Sequence, residues 1–216
     1  MRLRFEEKLN RLDDLLIEMG KLVTGSIENA VRALEEKNVE LAKEVYESDA
    51  EINKMEDEIE SLALTILLTE KPVASDFRFV TTTMKMINDL ERIGDQAADI
   101  SYLILKLNNR SYEPSDLGSI KGMAAITVKM LEDTLTAYLS GDLDLTEQVL
   151  TRDDQVDEYF HKVREEVIKD IKEERFATKN SLDIFLIAKY LERIGDHAEN
   201  IAEEVYYSIT AKNYKK

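Results

Sequence analysis

Two stretches of this sequence place carboxylate side chains about one helical turn apart. In the first stretch these are Glu91, Asp95 and Asp99, and in the second they are Glu192 and Asp196. Residues four apart lie on the same face of a helix, where like charges repel one another and destabilise the helix slightly. Carboxylate oxygens are the ligands that magnesium, calcium and manganese prefer, and carboxylates inside helical bundles also hold iron. The spacing is therefore typical of a site for hard cations or iron.

Further carboxylates lie where a neighbouring helix can present them to these pairs. Asp49 and Glu56 flank the apolar stripe of an earlier helical segment, Asp153 holds the place equivalent to Asp49 later in the chain, and Glu199 continues the second line. The candidate metal ligands form two sets, one in each half of the chain. The first acidic ridge comprises Asp49, Glu91, Asp95 and Asp99. The second acidic ridge comprises Asp153, Glu192, Asp196 and Glu199.

The alternative to a metal site is an ordinary charged helix face. Glu91 would then pair with Arg92 or Lys85, and the other acids would be solvated. Because the arrangement occurs twice, beside a glycine that allows close helix approach, the metal interpretation is favoured. Arg92 and Arg193 are predicted to form ion pairs with neighbouring acids, since no glycine-rich phosphate loop accompanies them. His197 lies away from the acidic line, and we predict a surface residue there rather than a ligand.

The two acidic stretches belong to an internal duplication. Residues 90–100 and 191–201 are identical at eight of eleven positions, at an offset of 101. Residues 27–50 align with 131–154 at an offset of 104. The change in offset predicts that the last loop of the second half, at 174–180, is three residues shorter than its counterpart, because surface connections tolerate such losses.

Helical periodicity runs through both copies. Apolar residues at intervals of three and four predict six helices, at about residues 3–36, 39–70, 75–107, 116–140, 143–174 and 180–211. Asp116 is predicted to open the fourth helix, and residues 108–114 form the clearest interior linker. Short loops make successive helices antiparallel. The fold class predicted is all-α, with two tandem three-helix bundles related by pseudo-two-fold symmetry, over residues 1–108 and 115–216.

Composition narrows the classes of function. The chain has no cysteine, which excludes disulfides, thiolate metal sites and cysteine nucleophiles. A net charge of −16 argues against nucleic-acid binding and favours cations or basic partner surfaces. No apolar run reaches about 18 residues, and the N-terminus lacks the apolar segment of a signal peptide. We therefore expect a cytoplasmic protein that does not insert into a membrane.

Two other functional classes stay open at this point. One is a di-iron carboxylate enzyme, because such bundles use Glu-x-x-His pairs and Glu158 precedes His161 by three residues. That pair has no counterpart in the first half, where Asp57 stands at the position matching His161. The other is a helical interaction module that binds no metal.

The doubled run of Leu-Glu-Arg-Ile-Gly-Asp in an all-helical chain of this length resembles the PhoU family of phosphate-uptake regulators. The resemblance implies a non-enzymatic negative regulator that acts on the phosphate ABC transporter and the phosphate-sensing histidine kinase, at the cytoplasmic face of inner-membrane proteins. It also implies metal binding by Glu91 with Asp95 and by Glu192 with Asp196. Multinuclear iron is the first expectation, with manganese, magnesium, zinc or calcium as alternatives. We also expect a homodimer.

Overall fold

The computed structural model describes residues 2–107, 117–175 and 178–215, and those residues form α-helices and no strand. The first half contains three helices: α1 (Arg2–Glu36), α2 (Val39–Glu70) and α3 (Ser75–Leu107). The second half contains four helices: α4 (Gly118–Ser140), α5 (Leu143–Leu150), α6 (Asp153–Lys172) and α7 (Thr178–Thr210). The all-α prediction is confirmed. The predicted linker at 108–114 and Asp116 lie outside the described residues.

The same chain reversal follows the first helix of each half. Lys37 and Gly141 adopt left-handed backbone conformations, with φ of 53° and 68°. The next residues, Asn38 and Asp142, cap the following helix, and each side chain accepts a hydrogen bond of 3.0 Å from a backbone N–H three residues later. A left-handed residue followed by an Asn or Asp cap stops one helix and starts the next. The duplicated sequence thus produces a duplicated turn.

The prediction of one continuous helix at 143–174 is wrong, because α5 and α6 are separated at Thr151 and Arg152. Arg152 forms an ion pair with Asp133 of α4, which is 7% exposed and also accepts a hydrogen bond of 2.7 Å from Lys129. Burial acts to raise the pKa of Asp133, but the hydrogen bonds from Lys129 and Arg152 outweigh it, so the pKa is lowered. A buried carboxylate needs such partners. The matching residues of the first half include Asn29 and Ser48, which cannot form this ion pair, and α2 is unbroken there.

The two halves pack through two pairs of helices. α1, α2 and α3 pack together, α4, α6 and α7 do the same, and the halves meet where α3 lies against α7 and α1 against α4. Lys85 of α3 pairs with Glu204 of α7 at 2.9 Å, and Asp89, one turn later, with His197, an earlier residue of α7, so the two helices are antiparallel. This arrangement confirms two helical bundles related by pseudo-two-fold symmetry. The boundaries at 1–108 and 115–216 stay predictions.

A polar cluster lies between α1, α3 and α4 in this interface. The ring of Tyr138 stacks on Phe79 at 4.8 Å, and its hydroxyl donates to the Phe79 carbonyl at 3.0 Å and lies 2.7 Å from the Thr83 hydroxyl. The nearby Asp13 has a buried Oδ1 without a hydrogen-bond partner. Burial, followed by the charge of Asp14, raises the pKa of Asp13 to about 6. The ionised form of Asp13 therefore destabilises the fold.

We expect Asp13→Asn to stabilise the protein by about 1–2 kcal/mol near neutral pH, after allowing for partial exposure of the carboxylate. The folded-state pKa lies above the unfolded value, so the wild type loses stability as pH rises from about 4 to about 6, and the variant does not lose this contribution. Urea unfolding of both proteins across this range measures the difference. A gain that is constant with pH would contradict the assignment to ionised Asp13.

Candidate metal centre

Each half brings an aspartate of one helix over a glycine of the acidic helix. A Cβ on Gly94 of α3 would lie 2.9 Å from Ile52 Cδ1 and 3.7 Å from Asp49 Oδ1 of α2. A Cβ on Gly195 of α7 would lie 3.1 Å from Val156 Cγ1 and 3.5 Å from Asp153 Oδ1 of α6. Since only a residue without a side chain permits this approach, the glycines set the distance between the helices. The offsets of 104 and 101 are confirmed at these contacts.

The first acidic ridge brings its predicted carboxylates into mutual electrostatic contact. Burial raises the pKa of Asp49, and the charges of Asp95 and Asp99 raise it further. Burial also raises the pKa of Glu91, followed by the charge of Asp95, with Asp49 contributing in the same direction. Glu56 joins the set, because burial and the charge of Glu91 raise its pKa. Four predicted ligands and Glu56 therefore share one strongly negative region.

Asp49 has the features of a ligand that lacks a partner. Its Oδ1 is buried without a hydrogen-bond partner, while Oδ2 accepts a hydrogen bond of 3.2 Å from Asn53. An unsatisfied buried carboxylate oxygen is costly, and a cation would satisfy it. The absence of a side chain at Gly94 leaves room beside the Asp49 carboxylate, and a donor set made only of oxygens fits a hard cation. Within the described ranges, however, no three His, Asp or Glu side chains already converge closely enough to enclose a metal ion.

Arg92 forms ion pairs with two carboxylates on the exposed side of the first ridge. Its Nη1 donates to Asp95 Oδ2 at 3.1 Å, and its Nε lies 3.4 Å from Glu91 Oε2. The predicted ion pairing of Arg92 is confirmed. Because the Arg92 side chain is 60% exposed, it can leave the ridge at small cost.

The second acidic ridge is built from partly different residues. Asp196 is exposed, but desolvation by neighbouring atoms raises its pKa, followed by the charges of Glu192 and, more weakly, Asp157. Lys189 pairs with both carboxylate oxygens of Glu192, at 2.6 Å to Oε1. Asp157 was not among the predicted ligands, although its position one helical turn after Asp153 shows the same i, i+4 spacing. Glu199, also predicted here, is half-buried one turn beyond Asp196, with a buried Oε1.

The prediction of a surface position for His197 is wrong. Its side chain is half-buried between α3 and α7, and Nδ1 lies 2.8 Å from Asp89 Oδ1. The pKa values of Glu91 on α3 and of Asp196 on α7 are both raised, and His197 opposes the rise in each, so it lies between the two ridges. The matched residue of the first half, Gln96, is 4% exposed, so this position faces inward in both copies.

Tyr190 of α7 also lies at the first ridge, although no sequence pattern marks it. Its hydroxyl hydrogen-bonds to Asp99 of α3, and burial, followed by the charge of Asp99, raises the pKa of Tyr190. The first ridge is therefore contacted by residues of the second half. By contrast, Glu158 and His161, which supported the di-iron alternative, are both exposed on α6.

The fold and the ridges together define a class of protein: a duplicated helical bundle with one acidic motif on the last helix of each copy. The PhoU domain model matches residues 16–104 and 120–205. The chain belongs to the PhoU family, which confirms the resemblance carried by the doubled motif.

Individual relatives match over nearly the whole chain. The phosphate-specific transport system accessory protein PhoU homolog 1 of Thermotoga maritima is 37% identical over 98% of this chain and 91% of its own length. The crystal structure of PhoU from Pseudomonas aeruginosa matches 96% of this chain and all of its own, at 33% identity and a TM-score of 0.90. The phosphate transport system regulatory protein PhoU of Streptococcus pneumoniae matches 98% of this chain and all of its own, at 28% identity and a TM-score of 0.89.

No helix within the described ranges is both long enough and apolar enough to cross a bilayer.

Proposed function

We propose that this protein is a non-enzymatic negative regulator of phosphate transport and phosphate-dependent signalling. It acts from the cytoplasm on the phosphate ABC transporter and on the phosphate-sensing histidine kinase, through peripheral association with these inner-membrane proteins, and it is a homodimer. The observation that carries the proposal is the nearly full-length match, in sequence and in fold, to proteins named as accessory or regulatory components of phosphate transport.

Cation binding at the two acidic ridges is the second part of the proposal. In the first ridge Asp49 offers its buried Oδ1, and Glu91, Asp95 and Asp99 offer further oxygens along one face of α3. Arg92 would leave Asp95 when a cation binds there, because both compete for the same carboxylate. A bound cation supplies positive charge that offsets the mutual repulsion of the carboxylates. Multinuclear iron is the first expectation, and manganese, magnesium, zinc and calcium are alternatives with suitable ligand preferences.

The acidic surface gives the partner interaction a testable electrostatic signature. With a net charge of −16, the chain would be drawn to basic surfaces of its partners. Exposed charges are screened over about 8 Å at physiological ionic strength, so added salt weakens such attraction.

We expect the purified protein to lower ATP hydrolysis by the purified phosphate ABC transporter when phosphate is plentiful, and we expect raised salt to relieve this inhibition. The measurement is the ATPase rate with increasing amounts of the chain at about 50 and about 300 mM salt, with the transporter alone at each salt as control. An ATPase rate unaffected at any salt would contradict regulation of the transporter. Inhibition that does not change with salt would contradict only the electrostatic docking.

A further inference from the structure

The two acidic ridges carry different side chains at several matched positions. The contacts at Gly94 and Gly195 fix the correspondence, so each residue of α2 matches one of α6 that lies 104 positions later, and each residue of α3 matches one of α7 that lies 101 positions later. Glu56 of the first ridge therefore matches Phe160 of the second. Asn88 of the first half matches Lys189 of the second.

In the second ridge, the chain supplies its own cation. The Lys189 ammonium pairs with both oxygens of Glu192 and lies 5.6 Å from the ring centroid of Phe160. Its charge also opposes the effect of burial and of Glu192 on the pKa of Asp196. The aromatic ring and the carboxylate thus hold one ammonium group against the line of ligands.

The first ridge has no such group at the matched position, and its Arg92 is matched by Arg193, so the arginines do not change the difference in charge. Asn88 is exposed, and its Nδ2 donates to the Met84 carbonyl of its own helix at 3.0 Å. Glu56 adds a carboxylate beside Glu91, where the second ridge has a phenyl ring. The exchanges of Asp99 for Asn200 and of Asn53 for Asp157 cancel in charge, and Glu199 of the second ridge, which matches Ala98, offsets Glu56. The charge difference that remains is Lys189 against Asn88, which leaves the first ridge one charge more negative than the second.

We propose that Lys189 is a tethered cation that competes with metal for the second acidic ridge. The first ridge consequently binds a divalent cation more tightly, and the second binds one only when Lys189 leaves Glu192. The inference rests on the cation binding proposed above. It assigns the duplicated motif of this chain to one strong and one weak site, which fill at different metal concentrations.

The test uses two full-length proteins that each keep one ridge. Glu192→Gln with Asp196→Asn leaves the first ridge, and Glu91→Gln with Asp95→Asn leaves the second. Calorimetric titration with manganese chloride should give a Kd at least about tenfold lower for the first ridge, since removing or adding one nearby charge changes affinity on that scale.

The decisive step is to exchange the residues at the matched position. In the protein that keeps only the second ridge, Lys189→Asn should tighten manganese binding about tenfold. In the protein that keeps only the first ridge, Asn88→Lys should weaken it by a similar factor. Lys179→Asn, at an exposed lysine near the start of α7, removes the same charge elsewhere on the helix and should leave the Kd nearly unchanged.

The outcomes separate this inference from the proposed function. Equal Kd values for the two ridges, or an equal effect of Lys189→Asn and Lys179→Asn, would overturn the tethered-cation role and leave metal binding in place. Failure of both proteins and of wild type to bind manganese, iron or any other candidate metal would overturn the metal site itself. Circular dichroism of each variant shows whether it is folded. Because Asn88 is exposed, Asn88→Lys tests the competition between a tethered ammonium group and metal without loss of a buried contact.

Discussion

Metal-loaded wild-type protein is expected to be more stable than the Glu91→Gln, Asp95→Asn variant by about 2.7 kcal/mol when free metal exceeds Kd a hundredfold. Both substitutions keep the shape of the side chain and remove its charge, so they take away first-ridge ligands without opening a cavity. Only a metal that binds the folded state adds this stability. The measurement is thermal or urea unfolding with iron or manganese present.

The same variant should behave oppositely when a chelator removes the metal. Without a cation, the raised pKa values of Glu91 and Asp49 mean that their ionised forms cost stability above the folded-state pKa. Removing two charges then leaves stability unchanged or raises it by a few tenths of a kcal/mol, since the exposed ion pairs of Arg92 contribute little. A variant that is less stable than wild type with metal, but equally or more stable without it, indicates a metal site rather than a solvated acidic face.

A matched control removes two negative charges at the same spacing elsewhere. Glu40→Gln with Glu44→Gln changes exposed residues four apart on α2. This control should show no metal-dependent loss. If wild type melts at the same temperature with and without every metal tested, the proposed metal site is refuted, while membership of the family stands on the full-length match.

The second large effect is expected at the glycine over which α2 approaches the first ridge. Gly94→Ala places a methyl group 2.9 Å from Ile52 Cδ1 and 3.2 Å from its Cγ2, in a fully buried contact. Overpacking of a core typically costs about 1–3 kcal/mol, which exceeds the gain of about 0.5–1 kcal/mol from replacing a helical glycine by alanine. We therefore expect a net loss of stability.

Gly25→Ala is the matched control, because a Cβ there meets no atom within 4 Å. It should stabilise the protein, and because the helical gain is common to both variants, they should differ by the overpacking cost, about 1–3 kcal/mol in the free energy of unfolding. Gly94→Ala should also weaken metal binding, since α2 must move and carries Asp49 with it. Equal stabilities of the two variants would mean that α2 can shift without cost and that Gly94 does not set the distance between α2 and α3.

The features that the sequence determined are those that depend on local spacing. Helical stripes repeat every three to four residues, and a duplicated sequence makes a duplicated fold, so the all-α class and both bundles could be predicted. The acidic face of α3 was predictable for the same reason, since Glu91, Asp95 and Asp99 are one turn apart on a single helix. The offset of 104 even paired Asp49 with Asp153, which the contacts at the two glycines confirm.

The features that only the tertiary structure decided are contacts between helices far apart in sequence. The bond between His197 and Asp89 and the bond between Tyr190 and Asp99 depend on α3 lying against α7, which periodicity within either helix does not encode. The break between α5 and α6 could not be predicted from local spacing, because Arg152 at the break pairs with Asp133 of another helix. Hydrophobic periodicity predicts which face of a helix is buried but not which helix covers it. The contacts of Lys189 with Glu192 and of Asn88 with the Met84 carbonyl, which make the two copies of the motif different, were therefore decided only by the tertiary structure.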